Sequence, residues 1–295
     1  GALSGGTATG AVTIVGDRIG AAGTTTIKTT GAVVQESSGT SFAAAYSAST
    51  LNVTAGAASL RIGKLTNTSD ITLSAGTVSV VGNIDITGGA ITNNASLTTT
   101  GTGDVTITGT GAYTGSGAIV AKGKVVINAL SASPTGAITS NGALGIAVTA
   151  SGGSISIGGN LSASTSTTAP ITLKASANLS VTASKSITTA GGNAILWSRY
   201  LAAAGASTLG SITLGNTSSI TTTGGRIVLA GTTQVDGNGF PTGYAFTTSA
   251  SDGGVRLGTS DTATDGNVIL SSGGGQISIY GSQRDRKSTR LNSSH

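Results

Sequence analysis

A head-to-tail repeat constrains the fold of this chain more than any other feature. The block SITTAGGNAIL (186–196) returns further along the chain as SITTTGGRIVL (219–229). Apolar residues also recur every eight positions in two runs: Ile171, Leu179, Ile187 and Ile195, then Ile212, Ile220 and Val228. Such repeats are typical of proteins in which each structural unit stacks on its neighbour. We therefore expect an architecture that is built by stacking.

Each repeat unit is a short run that alternates apolar and small polar residues, as in Ile171-Thr172-Leu173. This alternation predicts a β-strand with its apolar side chains on one face. Gly-Gly, Gly-Asn and Asn-Thr pairs between the runs favour turns. One such strand cannot bury its apolar face alone, but stacked copies pair in parallel and bury it together. The sequence therefore predicts an all-β chain folded as a right-handed parallel β-helix, or β-solenoid.

An antiparallel sandwich or barrel is the alternative fold, because it also has short strands and regular turns. The head-to-tail repeat is less typical of a sandwich, and few Asn-Gly or Asp-Gly hairpin signals occur. Coils of about 20 residues would give roughly 14 coils at the spacing of paired strands. The core is expected to be thin, since aromatic residues are only 3% of the chain.

Residues 1–284 are predicted to form a single β-helical repeat region, an internal piece of a longer protein. Within it, residues 232–265 leave the rhythm and are interpreted as a loop-like extension on the solenoid wall. Residues 285–295 break every pattern and resemble a translated sequencing adapter, so we expect a non-native or disordered tail. The sequence resembles a metagenomic fragment in this respect.

Charge and composition exclude several functional classes. Without the tail's three basic and one acidic residue, the formal charge falls from +5 to +3, and the only histidine, His295, is lost. The chain has no cysteine, and no apolar run is long enough to span a membrane. We therefore expect no nucleic-acid partner, no membrane span in this segment, no metal site and no cofactor. Lys122, Lys124, Arg226 and Arg256 are interpreted as solvated charges.

Carboxylates are the catalytic groups to consider, because glycoside hydrolysis needs a pair of them. Asp85 lies between Ile84 and Ile86 and is predicted to point outwards, whereas Asp104 precedes a strand at a turn. Asp252, Asp261 and Asp265 lie in the loop-like segment. We interpret these aspartates as solvated turn residues and expect no catalytic residue.

Aromatic residues mark the weak candidates for ligand binding, since a sugar can stack on an aromatic ring. Trp197 and Tyr200 lie on either side of Arg199, and the later extension contains Phe240 and Tyr244. The other interpretation is that these rings close a strand end or cover the edge of the core.

The repeats resemble a known family. The residues that carry the resemblance are ITT-x-GGN-x-x-LW (187–197), SITLG (211–215), SITTTGG-x-IVL (219–229), GYA (243–245), GGVRLG (253–258) and GNVILSSGGGQISIYG (266–281). They resemble filamentous haemagglutinin-like exoproteins, which are large repetitive adhesins of Gram-negative bacteria, often exported by two-partner secretion. The resemblance covers most of residues 51–283. Its motifs specify a type of repeat and carry over no catalytic residue.

The resemblance implies a structural stalk in a secreted or cell-surface adhesin that mediates attachment, located outside the cell or on its outer surface. It further implies glycans or proteins on host or bacterial surfaces as partners, with an outer-membrane secretion partner for the full-length protein. Two alternatives stay open: a polysaccharide-active β-helical enzyme, and a structural protein of a surface layer or matrix.

Overall fold

The computed structural model describes residues 9–164, 168–202, 209–247, 254–258 and 267–283. Every regular element in these ranges is a β-strand. The tail at 285–295 and Asp252, Asp261 and Asp265 lie outside the described residues. The chain divides into two compact units, Gly1–Gly142 and Ala143–His295.

The first unit contains sixteen strands in its described part. They are β1 (Val12–Val15), β2 (Gly20–Lys28), β3 (Ala32–Glu36), β4 (Tyr46–Ala57), β5 (Ser59–Ile62), β6 (Ile71–Leu73), β7 (Thr77–Val80), β8 (Ile84–Gly88), β9 (Ile91–Asn93), β10 (Ser96–Thr99), β11 (Val105–Gly109), β12 (Ala112–Gly115), β13 (Ile119–Ala121), β14 (Val125–Ala129), β15 (Ser131–Pro134) and β16 (Ile138–Ser140).

The described part of the second unit also contains sixteen strands. They are β17 (Leu144–Val148), β18 (Ile155–Ile157), β19 (Leu161–Ala163), β20 (Ile171–Lys174), β21 (Leu179–Val181), β22 (Ser186–Thr189), β23 (Ala194–Ser198), β24 (Ile212–Leu214), β25 (Ser219–Thr222), β26 (Ile227–Val235), β27 (Pro241–Gly243), β28 (Ala245–Thr247), β29 (Val255–Leu257), β30 (Ile269–Ser271), β31 (Ile277–Ile279) and β32 (Gly281–Gln283).

Strands of the first unit pair in parallel along three sides. The first side stacks β1, β3, β5, β8, β11 and β14 in that order. The second stacks β4, β6, β9, β12 and β15, and the third stacks the end of β4 with β7, β10, β13 and β16. Each full coil therefore contributes one strand to each side, and β2 covers β4 at the start.

The second unit repeats this plan by itself. Its first side stacks β17, β20, β23, β26 and β31 in parallel. The second side stacks β18, β21, β24 and β29, and the third stacks β19, β22, β25 and β30. The predicted parallel β-helix is therefore confirmed in each unit, and the sandwich alternative is wrong.

Coil length is less regular than the sequence suggested. In the first unit, the corner bond between Asp104 and Lys124 joins neighbouring coils at a sequence separation of 20. In the second unit, the corresponding separation between Asn193 and Arg226 is 33. The described residues contain six first-side strands in one unit and five in the other, so the expectation of about 14 coils of about 20 residues is wrong.

The core of each unit is a stack of aliphatic side chains from all three sides. Ile171, Leu179 and Ile187 face inwards from three successive sides and are at most marginally exposed. The eight-residue step therefore measures one side of a coil. Ile195 is the exception, because the inward residues of its strand are Ala194 and Leu196, and Ile195 lies on the outer face. Each buried Ile or Leu contributes about 1.5–3 kcal/mol relative to an exposed one.

Asparagine and aspartate side chains join successive coils at the corners. At each of these positions the side-chain oxygen accepts the backbone N–H of a residue one coil later, which satisfies a donor where the chain turns. The pairs are Asp17–Ser38, Asn52–Thr77, Asp70–Ala90, Asn83–Asp104, Asn94–Ser116, Asp104–Lys124, Asn160–Ser186, Asn178–Ser211 and Asn193–Arg226.

The repeated block of the sequence has a physical explanation in the second unit. Gly224 has a φ of +112°, which glycine adopts without strain. Gly225 packs so closely on the preceding coil that a Cβ there would overlap the carbonyl oxygen of Gly192. The buried hydroxyl of Thr222 donates to the carbonyl of Gly225 at 2.5 Å. Thr189 makes the same bond to Gly192 one coil earlier.

This close packing predicts that Gly225→Ala destabilises the second unit. Overpacking of a tight interior contact costs about 1–3 kcal/mol. Gly145→Ala is the matched control, because a Cβ at this first-side glycine of the same unit meets nothing within 4 Å. We expect urea denaturation to show a lower midpoint for Gly225→Ala and an unchanged or higher midpoint for Gly145→Ala. Equal midpoints would contradict the proposed contact.

Candidate functional site

A lateral hairpin on the second unit contains Phe240 and contacts Trp197 and Tyr244. It comprises residues 231–243, in which β26 continues beyond the first side and pairs antiparallel with β27. If β26 were straight, Asp236 would lie roughly 33 Å from Arg226, yet their side chains are in contact at 3.5 Å. The strand therefore folds back, and Thr232, with a φ of +64°, lies at the bend.

Arg226 holds the tip of the lateral hairpin against the wall. Its guanidinium lies 4.4 Å from the ring centroid of Phe240, and its Nη2 donates to Oε1 of Gln276. The Asp236 carboxylate also accepts the N–H groups of Phe240 and Asn238, both at 2.9 Å. These bonds, that of Phe240 foremost, hold the pKa of Asp236 below its usual range. The interpretation of Arg226 as a solvated charge is therefore wrong.

Trp197 is fixed by three neighbours. Its indole Nε1 donates to the carbonyl of Thr232 at 2.5 Å, at the bend of the hairpin. The Nζ of Lys174, which pairs with Trp197 from the preceding coil, lies 5.2 Å from the ring centroid. Tyr200 approaches at an interplanar angle of 72°, with centroids 6.3 Å apart. The indole therefore bonds the hairpin through its Nε1, and its ring contacts the ammonium group of Lys174.

Arg199 and Tyr200 point their polar atoms at the chain itself. Arg199 is 3% exposed, its Nη1 donates to the carbonyl of Tyr244 at 2.8 Å, and its guanidinium lies 5.3 Å from the ring centroid of Phe246. Burial lowers its pKa. The Tyr200 hydroxyl donates to the carbonyl of Val148, and burial raises the pKa of this phenol. Arg199 therefore packs against the residues that follow the hairpin, and Tyr200 bonds the backbone of β17.

Tyr244 is the most exposed of the candidates, at 43%. Its ring meets that of Tyr280 at an interplanar angle of 77°, with centroids 6.3 Å apart. The structure thus brings Trp197, Phe240 and Tyr244 to the lateral hairpin, Arg199 to the residues that follow it, and Tyr200 beside Trp197. Trp197 and Phe240 make contacts that fasten the hairpin, Arg199 fastens the residues after it, and Tyr244 presents an aromatic surface to solvent.

Sequence reasoning missed the groups that complete these contacts, namely Lys174, Arg226, Phe246 and Tyr280. Lys174 could have been found from the coil length, because the register pairs it with Trp197 one coil later. Arg226 could not, because its contact with Phe240 depends on the bend at Thr232. No local pattern in the sequence indicates that bend.

Most described acidic side chains bind the protein's own groups. Asp17, Asp70 and Asp104 accept corner N–H groups, and Glu36 pairs with Arg61 at 2.7 Å. Asp85 lies on the outer face of β8, as predicted, and desolvation raises its pKa. Within the described ranges, no three His, Cys, Asp or Glu side chains form a group that could hold a metal ion.

Comparison of the chain with protein-family models, with curated proteins and with solved structures finds no match. Among the described residues, no helix has the length and apolar character needed to cross a membrane. Any assignment of function therefore has to come from the geometry of the chain and from its sequence pattern.

The ion pair at the hairpin tip predicts a response to pH. The lowered pKa of Asp236 means that ionisation stabilises the docked tip above about pH 4. This stabilisation is lost as the pH falls through the folded-state pKa. Trp197 is the only tryptophan and binds the hairpin at Thr232, so its fluorescence reports the change.

We expect the Trp197 emission to shift to the red on acidification, because the indole gains contact with water. Asp236→Asn should remove this transition. The matched control is Asp17→Asn in the first unit, which loses another carboxylate of lowered pKa but should leave the transition in place. The account of the tip is wrong if Asp236→Asn titrates like the unsubstituted protein.

Proposed function

We propose that this chain is a structural stalk segment of a secreted or cell-surface bacterial adhesin. The main support for the proposal is the parallel stacking of coils within each unit. Each coil pairs with the next through the same kind of strand interface. Repeats that contact only their neighbours extend a chain in one direction without needing a large core. A stalk requires this property more than it requires any reactive group.

The use of the acidic residues supports the same proposal. An enzyme that cleaves polysaccharides keeps two carboxylates free to face the substrate. Here the Asp104 carboxylate accepts the N–H of Lys124 at 2.6 Å, and Asp70 accepts that of Ala90 at 2.8 Å. These carboxylate oxygens accept hydrogen bonds from the backbone at the corners of the coils. Asp85 is the acidic group that best fits the enzyme alternative, because its pKa is raised.

The partners and location follow from the same proposal. A stalk of this kind acts outside the cell or on its outer surface, and its full-length protein needs an outer-membrane secretion partner. Attachment would be to glycans or proteins on host or bacterial surfaces. Within this chain, Tyr244 beside the lateral hairpin is the contact we assign to such a partner, because its ring is exposed. The remaining binding groups would belong to other parts of the protein.

The proposal predicts that the purified chain has no polysaccharide-cleaving activity. We expect no release of reducing ends and no unsaturated products from a panel of neutral and acidic polysaccharides at mildly acidic and neutral pH. A β-helical enzyme of known activity serves as the positive control. Cleavage that is lost in both Asp85→Asn and Asp104→Asn would overturn the stalk proposal in favour of an enzyme.

A further inference from the structure

Two Asn-Gly sequences occur in the chain, Asn141-Gly142 and Asn238-Gly239. In this dipeptide the backbone nitrogen of glycine can attack the side-chain amide carbon of asparagine, because no Cβ on the second residue hinders the approach. A nitrogen–carbon bond forms and closes a succinimide ring. The amide nitrogen leaves as ammonia with the proton of the attacking N–H. Water then opens the ring to an aspartyl or isoaspartyl residue.

Asn141-Gly142 is held in the coil wall of the first unit. The N–H of Asn141 donates to the carbonyl of Ala121 at 3.0 Å, and the N–H of Gly142 donates to the carbonyl of Gly123 at 2.8 Å. Both bonds join neighbouring coils, and a Cβ on Gly142 would lie 3.1 Å from that same carbonyl. The Gly142 nitrogen is therefore hydrogen-bonded to the neighbouring coil, and it has little freedom to turn towards the Asn141 side chain.

Asn238-Gly239 lies at the tip of the lateral hairpin, and both residues are exposed. Gly239 has a φ of +80°, and a Cβ there would meet nothing within 4 Å. Its N–H donates to the carbonyl of Asp236 at 2.9 Å, a bond inside the turn that a small movement of the turn can open. The Asn238 side chain is thus beside a glycine nitrogen that no neighbouring coil holds.

From this contrast we propose that Asn238 is a site of spontaneous deamidation in the folded protein, while Asn141 is protected. The reaction needs only water and releases ammonia. Its products place a new carboxylate two residues from Asp236, and the isoaspartyl form also inserts a methylene into the backbone before Gly239. The N–H of Phe240 then loses its place on Asp236, so modification releases the hairpin tip from Arg226.

The test follows both asparagines in the intact, folded chain. The purified protein is kept in mildly alkaline buffer, and peptides containing residues 141 and 238 are followed over time by mass spectrometry that separates aspartyl from isoaspartyl products. We expect deamidation at Asn238 at least tenfold faster than at Asn141. In denaturant, the two rates should converge.

Variants separate the two sites. Asn238→Gln should abolish the acidic form that accumulates in the folded protein, because glutamine closes the corresponding ring far more slowly. Asn141→Gln, the matched control, should leave that acidic form unchanged. The proposal is overturned if Asn141 reacts as fast as Asn238 in the folded chain. It is also overturned if Asn238 keeps its amide in folded protein over a period in which denatured protein loses it.

Discussion

The structure of each unit depends on one constraint, that every coil returns to a position where its backbone pairs with the coil before it. Parallel pairing satisfies the N–H and C=O groups of the strands, and the corners need separate solutions. Side-chain oxygens such as that of Asn94 supply acceptors there. At other corners the close packing of Gly225 on Gly192 allows the backbones to meet. At such a corner a threonine hydroxyl of the third side donates a hydrogen bond to the glycine carbonyl, as Thr222 does to Gly225.

This constraint also explains why the lateral segment carries the exceptional chemistry of the second unit. Coil walls can vary only in residues that point outwards, whereas an insertion can leave the stack and fold by itself. The insertion at 231–243 then needs its own attachments, which Arg226 and Trp197 provide. Aromatic and cationic residues therefore gather where the regular pairing ends. Tyr244 is the candidate residue that is most exposed to solvent.

The parts of the fold that repeat could be predicted from sequence, because the repeat is itself the coil interface. The offset between the two similar blocks is the register that pairs Ile187 with Ile220. Alternation placed Asp85 outside correctly. The eight-residue step fails at Ile195, because the inward positions of β23 are Ala194 and Leu196. The contacts of Arg226 and Arg199 depend on a folded insertion, for which alternation gives no information.

A pair of engineered cysteines can test the register of adjacent coils, since the chain has no cysteine of its own. Thr188 and Thr221 are partners on adjacent coils of the third side, and both point outwards. Paired strands bring their Cα atoms to about 4.8 Å, a distance that a disulfide can bridge. Thr188 and Ser219, two residues out of register, would be about 8 Å apart, which is too far. We predict rapid oxidation of the Thr188→Cys/Thr221→Cys variant and little of Thr188→Cys/Ser219→Cys. Equal oxidation of the two variants, or preference for the second, would contradict the stacked-coil structure.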